Sequence, residues 1–125
     1  MTLSRRQARR QALFLLYQWD LSGQEIGSQY AGEIDPWARG IAEAVAAHAG
    51  DLDTKITAAS DGWTADRLGT VERSALRVAV HELETGEVPA EVAINEAVAF
   101  AKRYASEDAA RLVNGILGRI QREVA

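Results

Sequence analysis

Four arginines, Arg5, Arg6, Arg9 and Arg10, stand within two helical turns near the N-terminus, and Tyr17 follows them at helical spacing. Guanidinium groups this close repel one another and weaken an isolated helix, so folding alone gains nothing from the cluster. A polyanion offsets the repulsion. Phosphates take bidentate hydrogen bonds from arginine, and their neutralisation releases counterions. A tyrosine on the same face adds a stacking surface for an unpaired base, worth about 1–3 kcal/mol, and sequence-specific RNA readers commonly engage single strands in this way. These residues therefore point to binding of single-stranded RNA or another polyanion. The competing reading is a solvated basic face that only favours solubility.

The charge distribution matters more than its total. Net charge is -4, yet residues 1–19 carry four arginines and no acid, so the rest of the chain sums to -8. An acidic body with one short basic segment is polarised. Arginine outnumbers lysine twelve to two, a bias that a GC-rich, alanine-rich genome also explains.

Catalysis finds little to work with. His48 and His81 are the sole candidates for a neutral-pH base. His48 lies in an apolar helical stripe, where a core or boundary role is expected, and His81 neighbours Glu82 without facing it, since adjacent helical residues diverge. No nucleophile elbow, zinc-protease, phosphate-loop or dinucleotide motif occurs. With no cysteine, thiolate metal sites, disulfides and cysteine nucleophiles are excluded. No enzyme, cofactor or metal is expected.

The elements that position the arginines are helical. Alanine is abundant, prolines number two, and apolar residues recur at helical intervals almost throughout. The first helix is expected over residues 4–21, with Ser4 as N-cap and Gly23 just past its end. Its arc Ala8, Ala12, Leu15, Leu16 and Trp19 faces the core, and Arg6, Arg9, Arg10, Leu13 and Tyr17 share the neighbouring arc. Residues 22–35, with three glycines, read as a loop. Asp35-Pro36 opens the next helix. Its stripe of Trp37, Ile41, Val45, His48, Leu52, Ile56 and Ala59 runs through Gly50, predicting one helix over 36–60. A short turn over 64–68 leads to a helix capped by Thr70, with Val71, Ala75, Val78, Ala79 and Leu83 inward and Gly86 at its end. A helix over about 91–105 follows Pro89. Ser106 then caps the last one, whose stripe is Leu112, Val113, Ile116, Leu117 and Ile120.

The whole reads as an all-α bundle of six or seven helices, and 125 residues suit one domain. No apolar run approaches the roughly 18–20 residues of a membrane span, and no signal-peptide pattern is present. A soluble, cytoplasmic protein is expected. Two weaker signals stay open. Asn114-Gly115 reads as a close helix approach with Asn114 capping a neighbouring carbonyl, or as a recognition surface, with Asn95 the other mid-helix asparagine. The acids Glu82, Glu84, Glu87 and Glu91 read as a solvated face or as an interface for a basic partner.

The runs RRQARRQALFLLYQWDLSG, LGTVERSALRVAVHEL and VPAEVAINEAVAFAKRYASEDAARLVNGILGRI, in this order, resemble the NusB transcription antitermination family over nearly the whole chain. The block VAINEAVAFAKRY followed by SEDAARLVNGIL carries most of that specificity. The resemblance implies two packed helical subdomains, about 1–62 and 63–125, and no catalysis. It implies binding of the boxA element of ribosomal RNA operon leaders together with NusE, a small-subunit ribosomal protein, within an antitermination complex of RNA polymerase and other Nus factors. The family's RNA-contacting positions fall on Arg5, Arg6, Arg9, Arg10, Tyr17, Arg111, Leu112 and Asn114. The NusE-facing positions fall on Tyr17, Arg77, Glu82 and Asp108. His81 stands where the family has a tyrosine before the glutamate, and Leu112 replaces a phenylalanine, keeping an apolar contact without the stacking. Two other readings remain: the targeting domain of an rRNA cytosine-5 methyltransferase, although no cofactor-binding α/β segment is present, and a protein-interaction bundle whose homodimer covers the arginines.

Overall fold

Local signals at helix ends set most of the boundaries. The computed structural model describes residues 3–124. Helix α1 spans Arg5–Ser22. Ser4 Oγ accepts from the Gln7 amide at 3.1 Å and Gln7 Oε1 accepts from the Ser4 amide at 2.8 Å, a reciprocal cap. Gly23, at φ 71°, closes the helix in the left-handed conformation. Helix α2 (Pro36–Ala47) starts on the Asp35 carboxylate, which accepts from the Ala38 amide at 3.0 Å. Helix α3 (Ala49–Ala58), a 3-10 turn (Ala65–Arg67) and helix α4 (Thr70–Thr85) follow. Helices α5 (Ala90–Tyr104) and α6 (Glu107–Val124) complete the order. Ser106 Oγ caps α6 at the Ala109 amide, 3.0 Å away. Every element among the described residues is helical or loop.

Two boundaries differ from expectation. The predicted single helix over 36–60 breaks at His48, whose φ of -115° and ψ of 17° end α2 and begin α3. Val45 and Leu52, both buried, are seven residues apart, a spacing that a straight helix and a one-residue bend satisfy equally. Periodicity therefore cannot show the bend, which lets α2 lie on α1 while α3 lies on α4. His48 itself is exposed at the corner, outside the apolar stripe assigned to it. Thr70 is the first helical residue rather than the cap; Gly69 holds that place and makes no side-chain cap bond.

Helix α4 is the centre of the protein. It packs against α1, α2, α3, α5 and α6, and residues Ser74 to Val80 are buried without interruption. A helix covered on all sides is what a central position requires. Around it, Leu15 and Leu16 of α1, Val45 of α2, Leu52 and Ile56 of α3, and Val113 and Leu117 of α6 are fully buried.

The loop between α1 and α2 is tied down by one buried side chain. Gln11 Nε2 donates to Tyr30 Oη at 3.1 Å and to the Glu33 carbonyl at 3.0 Å, and Gln11 Oε1 accepts from the Asp35 amide at 2.8 Å. Gln11→Ala leaves these partly buried groups without partners. It is expected to cost about 2 kcal/mol and to speed hydrogen exchange at the Asp35 amide. Unchanged protection there would show that the loop holds its shape without Gln11.

Candidate nucleic-acid interface

The arginine cluster does not present one face. Residues four apart on α1 point the same way, so the cluster divides into two pairs. Arg5 and Arg9 turn toward α2, with their guanidinium carbons 4.2 and 5.7 Å from the Trp37 ring centroid. Arg6 and Arg10 turn toward α5.

Arg9 is not a surface residue. It is 3% exposed, and its Nε and Nη2 donate to the Glu82 carboxylate of α4 at 2.8–3.1 Å. Glu82 is equally buried. The pair joins α1 to α4, so neither head faces solvent in the way that the roles expected of Arg9 at RNA and of Glu82 at a protein partner require. Nη1 of Arg9 makes no bond to Glu82, however, and Arg9 also lines the cleft between α1 and α5. Leu13, from the same predicted arc, is buried as well.

Arg77 is also withdrawn from the surface. Its Nε and Nη2 donate to Asp53 at 2.8 and 2.7 Å, and Asp20 lies 3.5 Å from Nη1. Arg73 reaches the same Asp20 at 2.8 Å. Burial disfavours the Arg77 charge, but the Asp53 and Asp20 carboxylates outweigh it and raise its pKa above the ordinary arginine value. The Arg77 head therefore faces these carboxylates rather than solvent. It joins α4 to α1 and α3.

What remains exposed is coherent. Arg6 is 72% exposed at its side chain and bonds Glu96 of α5 at 2.8 Å. A surface pair of this kind is worth about 0–1 kcal/mol, little enough for Arg6 to exchange it for a phosphate. Arg10 pairs with no carboxylate among the described residues and lines a cleft between α1 and α5 with Glu96, Phe100, Arg103 and Tyr104. Arg103 lies 5.5 Å from the Tyr104 ring centroid. Tyr104 stands partly exposed on a cluster with Phe14 and Phe100, ring centroids 4.9–5.5 Å apart. Tyr17 is half-buried on α1, seven residues past Arg10 and so close to the same side.

On the far side of α5 a second groove is lined by Lys102, Arg111 and Asn114. Arg111, Leu112 and Asn114 are exposed on α6, and Arg111 pairs with exposed Asp108 one turn earlier. Asp108 is thus accessible. Gly115 makes no close helix approach, because a Cβ built there meets nothing within 4 Å. That overturns the packing reading of Asn114-Gly115.

The structure thus brings Arg6 and Arg10 of α1 and Arg111 of α6 to either side of a single helix, α5. Lys102, Arg103 and Tyr104 at the end of α5 bridge them into a basic belt with an aromatic in it. None of these three stands among the residues that sequence patterning singles out. Two cations followed by an aromatic in the last turn, where cations also suit the helix dipole, are a signal that could have found them. Among the described residues no group of three or more His, Asp or Glu could hold a metal ion, and no helix is long and apolar enough to cross a membrane.

Comparison with known proteins finds relatives over nearly the whole chain. The sequence model of the NusB family matches residues 6–122. The transcription antitermination protein NusB of Anaeromyxobacter sp. (strain Fw109-5) is 38% identical over 130 residues, covering 96% of this chain and 91% of its own. The T. maritima NusB structure superposes with a TM-score of 0.85 at 30% identity, over 98% of this chain and 94% of that one. A crystal structure of antitermination factors NusB and NusE in complex with double-stranded RNA matches with a TM-score of 0.82 at 30% identity, over 95% and 96% of the two chains.

Proposed function

The chain belongs to the NusB family, and on that premise we propose that it binds boxA-type single-stranded RNA from rRNA operon leaders together with NusE. The pair then joins RNA polymerase and other Nus factors to oppose termination in the cytoplasm. The observation that carries this reading is the belt of Arg6, Arg10, Arg103, Tyr104 and Arg111 around α5. Its cations sit on an otherwise acidic protein. Such a belt attracts a phosphodiester backbone, and Tyr104 and Tyr17 offer π-faces to unpaired bases. A relative solved with NusE and double-stranded RNA supports NusE and RNA as partners.

Arg5, Arg6, Arg10, Tyr17, Arg111, Leu112 and Asn114 remain the proposed RNA side, joined now by Lys102, Arg103 and Tyr104. Tyr17 and Asp108 remain the proposed NusE side. The acids that flank the belt, Glu96, Glu107 and Asp108, weaken the protein's own hold on RNA and leave room for a partner to raise it.

A filter-binding titration of boxA RNA with and without NusE tests the proposal. The RNA affinity is expected to be weak for the protein alone, to rise at least tenfold with NusE, and to fall steeply with salt. The coupling must be reciprocal, so RNA should tighten NusE binding by the same factor. An affinity indifferent to NusE would sink the reading. A duplex of the same sequence, run in parallel, shows whether unpaired bases are required.

A further inference from the structure

The most exposed large aromatic of the described residues plays no part in the belt. Trp63 is 53% exposed, and it follows a turn built at some cost. Asp61 is the one non-glycine described residue with positive φ, at 46°, and Gly62 follows at φ 90°. A left-handed conformation is unfavourable for a residue with a Cβ, so something must hold it. Arg119 of α6 does: its Nη1 and Nη2 donate to Asp61 at 2.6 and 3.0 Å, and Nη1 also donates to the Ala59 carbonyl at 3.2 Å. The same contact holds the Asp61 carboxyl below the usual carboxylate range. The Trp63 amide then donates to the Ser60 carbonyl at 3.0 Å. The turn is braced against α6, while the indole it carries stays in solvent.

Beside the indole lies a groove of about 310 Å³ lined by Trp63, Leu112, Gly115, Arg111 and Arg119. Gly115 is informative. It sits inside α6, where glycine costs about 1 kcal/mol relative to alanine, yet neither positive φ nor close packing requires it. Its missing side chain leaves the groove floor open between the indole and Leu112. The groove is also continuous with the belt, because Arg111 lines both it and the groove between α5 and α6.

We propose that Trp63 is a base-stacking residue: an unpaired nucleobase of the bound RNA enters the groove over Gly115 and lies against the indole, while Arg111 takes a flanking phosphate. The occupant is an RNA base because the groove pairs one flat aromatic wall with a cation leading to the basic belt. Arg119 is a positioning residue, holding the turn that presents the indole. The inference rests on the RNA-binding reading above and extends the path of the strand from α5 onto the 60–64 turn.

The test is a titration of the protein, with NusE present, by boxA-type single-stranded RNA, following both affinity and intrinsic tryptophan fluorescence. Wild-type fluorescence is expected to be quenched on binding. Trp63→Ala is expected to weaken binding about tenfold, Trp63→Phe to recover most of it, and neither to change the salt slope, since no phosphate contact is lost. Trp63 is exposed, so circular-dichroism melting should confirm that both variants fold. If Trp63→Ala binds RNA as the wild type does while Arg10→Glu weakens it, the stacking role is wrong and the belt stands. If Trp63→Ala loses NusE affinity measured without RNA and keeps its own RNA affinity, the groove is a protein surface and the proposal is overturned. Failure of the wild type to bind the RNA at all would overturn both.

Discussion

Glu82→Ala should destabilise the protein by about 3–5 kcal/mol, because it leaves the Arg9 guanidinium charged, buried and without a partner. Small domains have about 5–15 kcal/mol of stability in all, so the loss will show as a large drop in the urea midpoint. Arg9→Ala should fall in the same range, stranding the carboxylate instead. The double variant Arg9→Met with Glu82→Leu is expected to recover most of the loss, since a buried ion pair is worth little more than apolar groups of similar size. The same double variant separates structure from recognition. If Arg9 serves only to join α1 to α4, the variant keeps its RNA affinity and its salt slope once folded. A single-variant cost below about 1 kcal/mol, the range of exposed pairs, would show the pair to be solvated.

The second large effect concerns the belt. Arg10→Glu combined with Arg103→Glu should weaken RNA binding on the order of 100-fold. Each lost charge-assisted hydrogen bond contributes about 1.5 kcal/mol, and each tenfold in affinity is about 1.4 kcal/mol. The slope of log affinity against log salt should become shallower by about 1.4 for two single-strand phosphates. Both heads line the cleft between α1 and α5, Arg103 exposed and Arg10 half-buried with no carboxylate partner among the described residues, so thermal unfolding should move far less than in the Glu82 variant. A loss of affinity with an unchanged salt slope would mean that the two arginines position the strand without neutralising phosphates. No loss at all would place the RNA on another surface.

Much of the fold is legible in the order of residues. The ends of α1 follow from Ser4, Gln7 and Gly23, whose capping chemistry is local and needs nothing beyond the neighbouring turn. The start of α2 at Asp35-Pro36 and the start of α6 after Ser106 are legible for the same reason. Burial of Ala8, Ala12, Leu15 and Leu16, and of Val113, Ile116, Leu117 and Ile120, follows from a 3.6-residue period with one apolar side. The family's pattern is also in the sequence, spread over nearly its whole length.

The fate of each charged group is not legible there. Helical spacing says that Arg5 and Arg9 share a direction, and that Arg6 and Arg10 share another. It cannot say that Trp37 and Glu82 wait on one side, and Arg103 and Tyr104 on the other, because those residues arrive from helices dozens of positions away. The bend at His48 is hidden because a stripe stepping by seven fits a straight helix and a hinged pair alike. Periodicity and caps are properties of a turn or two of chain, so the residue order alone determined where the helices lie, which side of each is apolar and where positive charge gathers. Whether a given guanidinium closes on a buried carboxylate or faces solvent beside an aromatic ring depends on what another helix brings within about 3 Å, and only the packed tertiary structure decided that.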